Sequence, residues 1–119
     1  MKNYIQLCVF ISLGLFISCK HDTPAISGPE LSFKTDIQPL INSSCANPGC
    51  HDGNEEFSLR TYDQIIDHGD VKSGNPEGSK LYRVTTWTSY EERMPPNNQL
   101  SDDQILRIYQ WIKQGAKNN

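Results

Sequence analysis

Two cysteines and a histidine stand close together near the middle of this 119-residue chain, in the stretch CANPGCH at residues 45–51. A cysteine followed directly by a histidine is the ending of a c-type haem attachment site. In that chemistry each thiol adds across a vinyl group, and the imidazole binds the iron as an axial ligand. The pattern therefore makes Cys45 and Cys50 candidate thioether residues and His51 a candidate iron ligand.

The spacing of the two cysteines differs from the usual attachment motif. The usual form is C-x-x-C-H, whereas four residues separate Cys45 from Cys50 in this chain. Because Cys50 and His51 are still adjacent, the chemistry at the second thiol and at the iron is unchanged. We expect the extra residues to loop out, since Pro48-Gly49 favours a turn.

Met94 is the candidate for the second axial ligand. It lies in the stretch RMPP at residues 93–96, where the following proline restricts it to extended backbone and a second proline stiffens the segment. With an attachment motif upstream, we expect its thioether to bind the iron on the distal side. The alternative is a methionine that fills a gap in the core. His68 is a competing ligand, for which a polar residue near a helix end is the other interpretation.

A haem-free interpretation of the same residues stays open. In an oxidising compartment Cys45 and Cys50 form a disulfide, and His51 is then incidental. A zinc site is less favoured, because two cysteines and one histidine need a fourth ligand that no nearby spacing supplies.

The first residues of the chain predict export. A positive start, Met1-Lys2, precedes an apolar run that ends in FISC at residues 16–19, as in a secretory signal. FISC resembles the cleavage site of bacterial lipoproteins, which implies removal of residues 1–18 and lipidation of Cys19. Residues 19–31 then form a flexible tether to a bacterial membrane, with the domain outside the cytoplasm. The alternative is an uncleaved signal anchor.

Helical periodicity predicts the elements that position these residues. A first helix begins after Ser32, with Ser32 or Thr35 as its cap, and carries an apolar stripe that leads to Cys45. Phe57 and Leu59 are expected to return to the interior, and Thr61 caps a second helix that runs to about His68. Pro39 is tolerated if it lies in the first turns of its helix.

The second half of the chain is predicted as one short turn, one loop and one long helix. A helical turn covers residues 80–83, and residues 84–90 are expected to form an extended loop. Ser101 and Gln104 fit a capping box for the final helix, which Gly115 ends. Ile105, Ile108, Tyr109 and Ile112 form its apolar stripe, with Trp111 on a flank. With no convincing strand alternation, we predict an all-α fold.

Five segments in order resemble the small c-type cytochrome domains of bacteria, particularly the planctomycete-type domain and lipoprotein cytochromes of the Bacteroidetes. They are IQPLI (37–41), CANPGCH (45–51), GNPEGSKL (74–81), MPP (94–96) and WIKQGA (111–116). The resemblance covers residues 33–116 and implies that residues 32–119 form a cytochrome c domain. The implied fold has about three to four helices around one covalently bound haem c, with the first and last helices crossing beside it.

The resemblance also implies residue roles and a function. Cys45 and Cys50 become the thioethers, His51 the proximal ligand and Met94 the distal one. The expected protein carries single electrons between redox proteins and is not an enzyme, because two filled axial positions leave no site for a small-molecule substrate. The alternatives are a haem-based ligand sensor or peroxidase-like domain with a displaceable distal ligand, and a haem-free binding module stapled by a disulfide. A net charge of -3 without a basic patch excludes nucleic acid as a partner.

Overall fold

The computed structural model describes residues 28–54, 56–86 and 91–119. Within these ranges the protein is helical and contains no strand, which confirms the all-α prediction for this part of the chain. The helices are α1 (Gln38–Ser44), α2 (Tyr62–His68), α3 (Lys80–Thr86) and α4 (Asp102–Lys113). None of the helices in these ranges has the length and apolar character needed to cross a membrane. The predicted signal peptide, Cys19 with its lipidation and the tether as far as residue 27 lie outside the described residues.

A π-helical turn, Phe33–Ile37, precedes α1 and continues into it. Of the two predicted caps, Ser32 is the N-cap, and its side chain accepts a hydrogen bond from the N–H of Thr35. Pro39 stands in the first turn of α1. Because a proline ring crowds the carbonyl four residues before it, a wider turn ahead of Pro39 relieves that contact.

The predicted capping boxes are both present. The Thr61 side chain accepts from the N–H of Gln64, and the Gln64 side chain accepts in return from the N–H of Thr61. Ser101 and Gln104 make the same pair of bonds at the start of α4. Each box satisfies two backbone donors that the helix leaves without an internal partner. These local signals therefore fix where α2 and α4 begin.

Helix α3 is longer than the sequence indicates. The predicted helical turn ends at residue 83 and an extended loop follows, but α3 continues to Thr86, so that prediction is wrong for residues 84–86. The Thr85 and Thr86 hydroxyls donate to the Tyr82 carbonyl at 2.7 and 3.3 Å, and Thr85 is buried. These bonds satisfy both hydroxyls within a helix. Residues 87–90 lie outside the described ranges.

The core forms where the first helical segment packs against α4. Its buried members come from every helix and from the connecting segments: Phe33, Ile37, Leu40, Ile41, Cys45, Leu59, Ile65, Leu81, Leu100, Ile108, Trp111, Ile112 and Ala116. The Phe33 ring lies 5.8 Å from that of Trp111 and 5.2 Å from that of Tyr62, edge-on to the latter. Trp111, predicted on a flank of the apolar stripe of α4, is 1% exposed and belongs to the core. Its indole N–H donates to the Lys117 carbonyl at 3.0 Å. Without this bond the buried N–H would have no hydrogen-bond partner.

Asn119 accepts hydrogen bonds from the first turn of the first helical segment. The Asn119 side chain accepts from the N–H of Phe33 at 2.8 Å, and its main-chain oxygen accepts from the N–H of Lys34 at 3.0 Å. These are donors of a first turn, which lack partners inside the helix. Leu31 and Pro29, at the end of the predicted tether, make hydrogen bonds to the Gln114 side chain just beyond α4.

Candidate functional site

One cavity of about 530 Å³ gathers the residues that the sequence singles out. Its lining includes Cys45, Cys50, His51, Met94 and His68. Its volume falls within the range of roughly 300–1,000 Å³ that is usual for cofactor and small-molecule sites. The segments that supply the wall are the end of α1 with the loop after it, residues 56–59, the end of α2, α3 and residues 91–96. The fold therefore brings together candidates that are far apart in sequence.

The loop from Cys45 to His51 closes on itself. The N–H groups of Cys45 and Ala46 both donate to the carbonyl of Ile41, which ends α1. The N–H of His51 then donates to the carbonyl of Cys45 at 3.0 Å, so the ends of the loop meet.

Three of the four residues between the two cysteines project from this closed loop, whereas Ala46 is buried. Asn47, Pro48 and Gly49 are exposed, and the Asn47 carbonyl accepts from the N–H of Cys50 at 3.0 Å. Gly49 has a φ of +79°, a conformation that favours glycine, and nothing lies within 4 Å of the place where a Cβ would stand. The extra residues thus loop out, as the Pro48-Gly49 turn signal predicts.

The two thiols have different environments. Both are free cysteines in this structure. Cys45 is 7% exposed and Cys50 is exposed. Burial, with a smaller effect from the nearby Cys50 thiol, raises the pKa of Cys45 to about 11. Cys45 is therefore a protonated thiol at neutral pH.

His51 combines a fixed backbone with an unsatisfied ring. Its backbone N–H donates to the carbonyl of Cys45, and its backbone carbonyl accepts from the N–H of Leu59 at 3.0 Å. The ring nitrogen Nδ1 is buried and has no hydrogen-bond partner among the described residues. Leaving such a group unpaired costs about 1–3 kcal/mol, and a buried unpaired atom on a cavity wall points to a further binding group.

Phe57 is a site residue that the sequence does not reveal. Phe57 and Leu59 are both predicted to enter the interior; Leu59 does, but Phe57 is 37% exposed, so the prediction is wrong for Phe57. Its ring stacks on His51 with centroids 4.4 Å apart and on His68 with centroids 4.6 Å apart. The three rings form a column on the cavity wall. No local pattern signals this contact, because His51 and His68 meet Phe57 only through the fold.

Met94 is fixed to α3 through its backbone. Its N–H donates to the carbonyl of Val84 at 2.9 Å, and the Met94–Pro95 peptide bond is cis. Arg83 holds the same segment, since its guanidinium donates to the carbonyl of Gly78 and to the carboxylate of Glu91, both at 2.9 Å. The side chain of Met94 is half-buried at the cavity.

His68 reaches the same cavity from the last residue of α2. Its side chain is 37% exposed, and its Nδ1 lies 3.9 Å from the carboxylate of Asp67. Both Met94 and His68 therefore lie beside the cavity, and their location alone does not decide between them as iron ligands. In the ranges that the structure describes, no group of three or more His, Cys, Asp or Glu side chains is arranged to hold a metal ion.

Comparison of the chain with protein-family models, with curated proteins and with solved structures finds no match in any of the three. The likeness to small bacterial cytochrome domains is carried by the sequence motifs. Those motifs and the cavity that their residues line are the basis on which a function can be assigned.

Proposed function

We propose that this chain is a mono-haem c-type cytochrome that carries single electrons between redox proteins. The observation that supports it most directly is the shared cavity, which Cys45, Cys50, His51 and Met94 all line. Two thiols, an imidazole and a thioether are the set of groups needed to attach one haem and to fill both axial positions of its iron. A bound haem would supply an iron that gains and loses one electron.

The cavity suits such a group. Apolar side chains form much of its wall, including Leu59, Leu81 and Val84. Both thiols are free, and His51 has a ring nitrogen that finds no acceptor or donor in the described part of the chain. Cys45 and Cys50 would hold the haem covalently, while His51 and Met94 would bind the iron.

The anchoring of the two proposed ligands favours an electron carrier. His51 and Met94 are each held by main-chain hydrogen bonds of 2.9–3.0 Å. Ligands that stay in place keep both axial positions filled, which leaves no open position for a substrate. A sensor or peroxidase-like domain would need a distal ligand that leaves easily, and the bond from Met94 to Val84 opposes that. A neutral thioether ligand stabilises the ferrous state, so we expect a relatively high reduction potential.

The proposal includes an extracytoplasmic location, with a lipid on Cys19 as the membrane anchor. The tether residues Pro29 and Leu31 contact Gln114, and none of these three lines the cavity. The described end of the tether, residues 28–31, and the cavity thus use separate parts of the domain surface. We expect the cavity wall to face a protein donor or acceptor while the chain is anchored.

A redox titration followed by visible spectra tests the proposal. The chain is produced in a bacterium that attaches haem to exported proteins, and the purified protein is titrated between its oxidised and reduced forms. We expect reversible one-electron behaviour with the absorption bands of haem c in the reduced state. A protein without these bands, or one whose oxidised form binds exogenous ligands at once at an open position, would contradict the carrier assignment.

A further inference from the structure

We infer that Phe57 selects the sixth iron ligand, by holding the His68 imidazole in a position from which it cannot compete with Met94. The inference rests on the proposed function and concerns the choice between two side chains of the same cavity. Phe57 is a positioning residue in this account, since it acts through His68.

The column of rings carries the argument. The Phe57 ring lies between the imidazoles of His51 and His68, with interplanar angles of 27° and 28°. Both contacts are stacked, so each imidazole presents its flat face to Phe57. The phenyl ring therefore separates the two imidazoles, and each imidazole turns a flat face toward it and not an edge.

This orientation is the wrong one for two ligands of a single iron. The donor nitrogens of an imidazole lie at the edge of the ring, in its plane. Two axial ligands approach the metal from opposite sides, so each must direct an edge nitrogen at it. With Phe57 in place, His68 does not direct an edge nitrogen toward the iron that His51 would bind.

Few other contacts hold His68. Among the described residues no hydrogen bond to its imidazole is found, and the Asp67 carboxylate lies 3.9 Å from its Nδ1. Its side chain is 37% exposed and can turn into the space that a smaller residue at position 57 would leave. Met94, by contrast, is tied through its N–H to Val84. Loss of the Phe57 ring therefore allows the His68 imidazole to move, whereas the backbone of Met94 stays in place.

The test compares haem-loaded variants of the full chain: Phe57→Ala, His68→Gln and the two combined. The readouts are the ferric visible and near-infrared spectrum, which shows a methionine-to-iron charge-transfer band only with Met94 bound, and the midpoint potential. We expect that band in the unaltered protein and in His68→Gln. We expect Phe57→Ala to lose it and to show a lower potential, because imidazole replaces the thioether. Adding His68→Gln to Phe57→Ala restores both.

Matched controls separate this role from loss of packing. Leu106 is the other large exposed apolar side chain of the described residues, 50% exposed and outside the cavity, so Leu106→Ala should change neither readout. If Phe57→Ala does not fold, Phe57→Leu keeps the apolar bulk without the flat ring and takes its place. A Phe57 variant that keeps the methionine band, or one that loses it without recovery on adding His68→Gln, overturns the inference. Absence of covalent haem from the unaltered protein removes the proposed function itself, and with it the choice of ligand.

Discussion

The backbone N–H of His51 donates a hydrogen bond of 3.0 Å to the carbonyl oxygen of Cys45. This bond joins the residue after the second cysteine to the first cysteine, across the whole widened loop. The extra residues project into solvent, so they do not separate the thiols from the imidazole at the cavity. The longer spacing thus changes the exterior of the loop and preserves the arrangement that the proposed attachment needs.

Gly49 should be required for this loop. Its φ of +79° is unfavourable for any residue with a Cβ, although the space around it is open, so Gly49→Ala costs backbone strain of roughly 1–2 kcal/mol. We expect the variant to unfold at a lower denaturant concentration and to carry covalent haem on a smaller fraction of its chains. Denaturant titration and absorbance per mole of protein measure the two effects.

Gly74 provides a matched control for Gly49. Its φ is +77°, its surroundings are equally open, and it does not line the cavity. Gly74→Ala should therefore lower the stability by a similar amount and leave the haem content unchanged. Equal haem content in the two variants would show that the conformation of the loop does not govern attachment.

The two thiols should differ in reactivity when no haem is attached. Burial raises the pKa of Cys45 from 9.0 to about 11, so its reactive thiolate is about 100-fold rarer near neutral pH than at the ordinary pKa. Cys50 is exposed. In the folded haem-free chain near neutral pH, a maleimide should modify Cys50 first, as mass spectrometry of the peptides would show.

The difference should disappear when the chain is unfolded, since burial is its main cause. Because the folded-state pKa is raised, the protonated Cys45 thiol is the form that folding favours. The corresponding stabilisation is complete below the unfolded pKa and is lost as the pH rises through about 11. Equal labelling of both cysteines in the folded chain would mean that Cys45 is not enclosed by the α1 end.

Local sequence signals account for the helix starts. Ser32, Thr61 and Ser101 are each predicted and observed as N-caps, because the relevant hydrogen bonds reach only three residues along the chain. The looped-out Pro48-Gly49 is predictable for the same reason. These features depend on neighbours in sequence, where residue type is decisive.

Features that depend on distant contacts were not predictable. Trp111 is central to the core because Phe33 and the Lys117 carbonyl meet it there, and periodicity within α4 does not contain that information. The three residues at the end of α3 are helical although their β-branched side chains favour strands. Tertiary context outweighs such propensities, and Thr85 among them is buried. The stacking of Phe57 between two histidines likewise arises only in the folded chain.

Removal of the α4 cap should lower the stability without altering the cavity. The Ser101 side chain accepts from the N–H of Gln104, and Ser101 does not line the cavity. Ser101→Ala should cost about 1 kcal/mol, whereas Ser101→Asp keeps an acceptor and should cost little. Thermal unfolding of both variants provides the measurement. An unchanged stability of Ser101→Ala would indicate that Asp102 or solvent already accepts hydrogen bonds from the N–H groups in the first turn of α4.

The intact mass of the purified chain after extraction with acidified organic solvent tests the central claim most directly. We predict that the protein keeps the added mass of one haem, because two thioether bonds resist this treatment, and that Cys45→Ala together with Cys50→Ala abolishes the addition. A chain that releases its haem into the solvent, or one whose mass is lower by two hydrogens from a disulfide between Cys45 and Cys50, would contradict it.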